Sequence, residues 1–234
     1  MDRFILIFKM QIMKKLFTFI VIGVLIISLT TTANAQDEKW SLGADLVSSY
    51  VWRGTKFGTG PALQPGLSYN NGGFSIGGWG SYTFTDDEAG EADLFATYGF
   101  DLSESSSVSF TVTDYFFLSD EAQYFDGAQH YFEPMVSLSM GDLSLTAAYM
   151  TNQSGSQDVS DTYIEAGYSF GNVSIFAGAG NGQYTDDTDF DLCNVGITAG
   201  KEVKLTDSFS VPVSVSAILN PSTEKFNIVF CISL

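Results

Sequence analysis

Arg53 and Lys56 stand close together in a chain whose other cations beyond residue 35 are Lys39, Lys201, Lys204 and Lys225. A guanidinium among carboxylates can act as a plug, a selectivity charge or structural glue, because burying it demands an acidic partner in every case. The acids that share an alternating, inward parity are Asp45, Asp93, Asp101, Glu133 and Glu165. Arg53 is therefore expected to face a lumen near its mouth, on the parity of Asp45, opposite acids carried by other strands.

His130 is the single histidine, so any serine hydrolase would have to be built on it. Some twelve-stranded barrels cleave lipids with a lipid-facing serine and histidine. The local sequence Gln129-His130-Tyr131-Phe132 offers no serine two residues away, so the nucleophile such a mechanism requires is unsupported and no enzyme is expected. Asp186, Asp187, Asp189 and Asp191 alternate like calcium ligands. From Asp187, however, the sixth position is Leu192 where a glycine is needed and the twelfth is Thr198 where glutamate is needed. That stretch, like Asp86-Asp87-Glu88, reads as a solvated acidic loop, and no cofactor or metal is expected.

The elements that would carry these groups follow from a period of two. From Ser208 onward Phe209, Val211, Val213, Val215, Ala217 and Leu219 alternate with small polar residues, and Phe226, Ile228, Phe230, Ile232 and Leu234 repeat the pattern. Such a comb marks strands with one apolar face, as a membrane barrel presents to lipid. Twelve candidate strands emerge at 40–52, 61–70, 73–85, 91–102, 106–118, 128–140, 142–152, 161–170, 172–184, 190–202, 207–220 and 224–234. Short connections such as Asn70-Asn71-Gly72 alternate with longer ones such as Arg53 to Gly60 and Ser119 to Gly127. The expected fold is an all-β, transmembrane, antiparallel up-and-down barrel of about 12 strands. Alternation alone also allows a soluble sandwich, but the inward Ser, Thr, Gly, Asn and acidic residues favour a hydrated lumen.

Trp40 opens the first strand and Tyr50 and Trp52 close it on one parity, where two aromatic girdles would lie. Trp79, Phe95, Phe117, Tyr131 and Phe176 point inward and are candidates to occlude the lumen. Parity slips at Asp114 in the fifth strand and between Leu192 and Val195 in the tenth, and a β-bulge would repair each, unless Asp114 lies beyond the apolar band. Cys193 and Cys231 fall on strands ten and twelve. They are second neighbours about 9–10 Å apart, too far for a disulfide, so both read as small packing residues.

Lys14 and Lys15 precede an apolar run from Leu16 to Leu29, with Ala33-Asn34-Ala35 before Gln36. This predicts a cleaved signal peptide over 1–35, with the start possible at Met13, and a barrel over 36–234. The mature chain would hold six basic and 26 acidic residues, a formal charge of −20. Such a surface repels phosphates, which excludes nucleic acid as a partner. The expected partners are the outer-membrane bilayer, the barrel-assembly machinery and small polar solutes.

Tyr50-Val51-Trp52-Arg53-Gly54, Pro61-Ala62-Leu63-Gln64 and Gly78-Trp79-Gly80-Ser81, followed by Glu91-Ala92-Asp93-Leu94, Tyr98-Gly99 and Phe132-Glu133-Pro134, resemble the TorF-type family of porins, small Gram-negative outer-membrane barrels. The resemblance covers roughly residues 45–140. It implies a small porin-type barrel and brings neither a substrate nor catalytic residues. Together the two readings predict a narrow channel for small polar or cationic solutes lined by Arg53, Asp45, Asp93, Glu133, Glu165 and Trp79. The alternatives are a plugged structural or adhesive barrel and, third, an outer-membrane lipid hydrolase.

Overall fold

The outward side chains of the strands are apolar and exposed, and that surface requires a lipid surround. In the computed structural model, which describes residues 39–85, 90–118, 130–152, 160–207 and 209–234, twelve antiparallel strands close into a barrel. They are β1 (Trp40–Val47), β4 (Ala62–Asn71), β5 (Phe74–Thr83), β6 (Gly90–Ser103), β7 (Ser106–Leu118), β8 (His130–Met140), β9 (Leu143–Asn152), β10 (Ser160–Phe170), β11 (Val173–Gly180), β12 (Asp191–Lys204), β13 (Ser210–Asn220) and β14 (Lys225–Ser233). A separate two-stranded hairpin, β2 (Tyr50–Trp52) and β3 (Thr55–Phe57), lies between β1 and β4. The signal-peptide reading and its cleavage residues Ala33, Ala35 and Gln36 lie outside the described residues, as do the acidic stretch at 86–88 and the connections at 119–129 and 153–159.

Each strand pairs with its sequence neighbour, and β1 closes the ring on β14 through Asp45 opposite Ser233, Leu46 opposite Ile232 and Val47 opposite Cys231. Closure removes the edges that would otherwise seek partners. The turns at one end are short and use Gly72, Gly141 and Gly171 at positive φ, which glycine adopts at no steric cost. Longer connections gather at the opposite end. Phe226 and Phe230 are each 61% exposed on the outer face. On the inner face hydroxyls pair across strands: Thr97 with Thr111 at 2.9 Å, Ser137 with Thr146 at 3.1 Å and Thr198 with Ser216 at 2.8 Å.

Three features differ from the pattern reading, and a fourth agrees with it. The first strand stops at Val47 instead of running to residue 52, because the chain turns into the barrel at Ser48 and Ser49. Tyr50 and Trp52 are therefore lumenal rather than girdle residues. The ninth barrel strand, β11, ends at Gly180 and is followed by a 3-10 turn at Gly182–Tyr184 instead of extending to 184. The fifth, β7, has no bulge at Asp114: its register with β6 and β8 is continuous there, so Asp114 sits outward, opposite Phe132 and Leu94. The tenth, β12, does carry a shift, with Gly178 opposite Asn194 and Ala179 opposite Leu192, which leaves Cys193 as the extra residue. Cys193 and Cys231 are both free thiols.

The two faces should respond differently to charge. Ile197→Arg, on the outer face at mid-strand, is expected to cost about 2–4 kcal/mol in urea unfolding from vesicles. The inward Thr198→Val loses one hydroxyl pair and should cost about 1 kcal/mol.

Candidate functional site

The hairpin turns at Arg53 and Gly54, whose φ angles of 50° and 79° match the two-residue turn that joins twisted strands. A left-handed conformation costs a residue with a Cβ about 1–3 kcal/mol, so Arg53 must be held there by what it touches. Its guanidinium donates from Nη1 to Glu133 Oε2 at 2.5 Å and to the Tyr184 hydroxyl at 2.7 Å, and from Nη2 to Glu133 Oε1 at 2.8 Å. The Trp52 and Tyr163 rings flank it, each centroid 4.4 Å away. The Arg53 side chain is 9% exposed and that of Glu133 1%. Burial disfavours the charge on Arg53, but the Glu133 hydrogen bond, together with electrostatic attraction from Tyr184, Glu133 and Tyr115, more than offsets it and holds the guanidinium pKa above its ordinary value.

Gly54 is required by space as well as by φ, since a Cβ there would lie 2.0 Å from the carbonyl oxygen of Cys193. The bulge in β12 thus supplies the wall on which the hairpin tip rests. It also aims Asn194 inward, where its Nδ2 donates to the Tyr163 hydroxyl at 2.8 Å and to Glu165 Oε2 at 2.9 Å. Tyr163 Oη donates to Glu165 in turn, and Tyr115 Oη donates to Glu133 Oε1 at 3.1 Å. Gly178 leaves room for the Tyr163 ring. Tyr184 is fully buried, and its carbonyl accepts from Asn220 Nδ2 at 2.9 Å.

The rest of the hairpin is aromatic. Tyr50 meets Trp79 at 5.6 Å and Phe57 at 5.2 Å between ring centroids, Trp52 meets Tyr115 at 5.5 Å and Tyr184 at 5.6 Å, and Phe57 stacks on Phe117 at 6.5 Å. Burial and the nearby Glu91 and Asp93 push the Tyr50 hydroxyl far above its usual pKa, so it stays a neutral donor toward Glu91. Glu91 and Asp93 stand together on β6, and among the described residues the buried Asp93 Oδ1 has no hydrogen-bond partner.

Of the residues singled out from sequence, Arg53 and Glu133 come together as a bidentate pair. Glu165 lies two strands further round the wall, Asp93 and Trp79 face each other across β5 and β6, and Asp45 stays on β1 opposite Gln64 and Ser233. Arg53 does not share a strand with Asp45, since it occupies the tip of the hairpin. Asp101 points inward but is exposed toward the short-turn end. Tyr163, Tyr184, Tyr115, Asn194 and Glu91 escaped the pattern reading. A tyrosine in an alternating strand reads as a girdle residue, and only the glycines opposite, Gly178 and Gly180, hint that rings fill the interior.

On the outer face His130 Nδ1 lies 2.8 Å from Asp114 Oδ1, with the Phe116 ring tilted against the imidazole at 4.9 Å between centroids. The outward residues beside the pair on β7 and β8 are Phe116 and Phe132. Asp186, Asp187, Asp189 and Asp191 are exposed, and Asp187 and Asp191 accept backbone N–H groups of their own loop.

Several solved barrels have a similar course. OccAB3 of Acinetobacter baumannii is 10% identical over 86% of this chain and 65% of that one, with a TM-score of 0.41. OprD of Pseudomonas aeruginosa is 12% identical over 86% and 65%, with a TM-score of 0.36. OccK8 (OprE) of the same organism is 10% identical over 86% and 68%, with a TM-score of 0.40. The chain spans just under two thirds of the length of OccAB3 and OprD. No curated protein matches the sequence. A family model described as "Bacterial protein of unknown function (Gcw_chp)" matches residues 32–213, and the chain belongs to that family.

Proposed function

We propose that the protein is an outer-membrane channel for small polar solutes, narrowed by its own first long connection folded into the lumen. The observation that carries this reading is the Arg53–Glu133 clamp. It fixes a hairpin across the interior, against a wall that also carries Tyr115, Tyr163 and Glu165. Space remains on both sides: a cavity of about 690 Å³ at the long-loop end, and another of about 510 Å³ lined by Ser174, Thr198 and Ser214 toward the short turns. With the short turns and both termini of residues 36–234 placed in the periplasm after signal cleavage, the hairpin lies near the cell exterior. Glu165, Asp93 and Asp45 on the walls, and the net acidity of the chain, favour cations and neutral molecules over anions. The TorF-like motifs point the same way, since Tyr50 to Gly54 is the hairpin itself.

A plugged structural barrel is the second reading, favoured by the aromatic packing around Trp52 and Tyr50. Hydrolysis is third: His130 and Asp114 would supply a base and its orienting acid, and among the described residues their outward neighbours on β7 and β8 are Phe116 and Phe132, which are not nucleophiles.

Arg53→Ala separates the first two readings in planar bilayers. A channel should show larger unitary conductance and altered cation preference, whereas a plug should stay silent and only lose stability. Glu133→Ala leaves the guanidinium buried and unpaired, and is expected to cost about 3–5 kcal/mol in urea unfolding. Gly54→Ala should displace the hairpin from the β12 bulge and reproduce the conductance increase of Arg53→Ala without touching a charge.

A further inference from the structure

The cavity at the long-loop end has two chemically distinct sides. Phe57 of the hairpin, Phe117 and Tyr131 form an aromatic wall in which Phe117 stacks on Phe57 and meets Tyr131 edge-on at 5.7 Å. Among the other lining residues is Asp161, at the inner edge of β10. Asp161 is 5% exposed, and its Oδ2 accepts the backbone N–H of Gln183 at 3.4 Å. Gly182, at φ 65°, makes room for that carboxylate: a Cβ there would lie 1.8 Å from Asp161 Oδ1. Among the described residues no ion pair reaches Asp161; the three present are Arg53–Glu133, His130–Asp114 and Lys204–Asp207.

A buried carboxylate without a cation is costly, and it becomes favourable when a positive charge arrives beside it. Aromatic faces attract the same charge through their quadrupoles and give an apolar body a surface to lie on. A volume of about 690 Å³ falls within the range of small-molecule sites. A neutral polyol would use the aromatic wall but leave the Asp161 charge uncompensated.

We propose that this vestibule captures small organic cations, an ammonium or guanidinium on a compact apolar body, with the charge at Asp161 and the body against Phe57, Phe117 and Tyr131. The proposal rests on the channel reading and names the solute class for it.

The test uses phenethylammonium against its neutral isostere phenethyl alcohol, with the refolded full barrel in planar bilayers and, separately, in detergent by equilibrium dialysis. The ammonium should block current and bind, and the alcohol should do neither at the same concentration. Asp161→Asn should weaken ammonium binding about tenfold or more, the loss of one charge-assisted contact. Phe117→Leu keeps an apolar side chain but removes a π face, and should weaken binding about threefold, which tests the site if Asp161→Asn does not fold. Equal binding of amine and alcohol, or variants that bind the amine as tightly as the parent, would overturn the proposal. A silent barrel that still binds the amine through Asp161 would uphold the site and sink the channel reading. A conducting barrel indifferent to the amine would do the reverse.

Discussion

A guanidinium carried into the middle of a barrel needs an anion at a fixed place, and Glu133 provides it with both oxygens. Most of the long-loop half of the interior is arranged around this pair. Trp52 and Tyr163 flank the cation, Tyr184 accepts from it, and Tyr115 donates to the Glu133 oxygen that Arg53 Nη2 also reaches. The strained φ of Arg53 is sustained because the surroundings over-determine it. Neither the ion pair nor the hairpin is independent: without the turn the guanidinium would not reach Glu133, and without Glu133 the left-handed arginine would relax.

The barrel wall is shaped to receive the hairpin. One extra residue in β12 gives Gly54 a backbone to rest on and turns Asn194 toward Tyr163 and Glu165. Gly178 and Gly180 leave space for the Tyr163 and Tyr184 rings. Pro134 interrupts the ladder between β8 and β9 beside Glu133, where pairing skips from Phe132 to Met135. Toward the short turns the lumen carries hydroxyl pairs such as Thr198 with Ser216, and the Phe95 and Phe176 rings lie over Gly77 and Gly196.

The wall was legible in the sequence, since a period of two with an apolar outer face admits few folds and the glycine turns fix where strands end. The bulge at Cys193 was legible too, because it breaks parity within an otherwise unbroken comb. The hairpin was not. Tyr50-Val51-Trp52 continues the alternation of β1, and only tertiary contacts with Glu133, Trp79 and Tyr184 make the chain turn inward at Ser48-Ser49. That Arg53 would need an acid from another strand followed from charge alone, but which acid depends on the depth of the hairpin tip. Asp114 showed the same parity break as the β12 bulge for a different reason: its carboxylate is outward and meets His130, a long-range pairing that local pattern does not encode.

In the proposed channel the hairpin is what narrows the lumen. Replacing residues 49–60 with a short Gly-Ser link that joins Ser48 to Pro61 leaves every barrel strand intact, and the unitary conductance of this variant measures the claim directly. A folded, heat-modifiable barrel with a several-fold larger conductance and weakened ion selectivity is the expected result. A folded barrel whose conductance equals that of the parent, or that remains closed, would show that the constriction lies elsewhere and contradict the account.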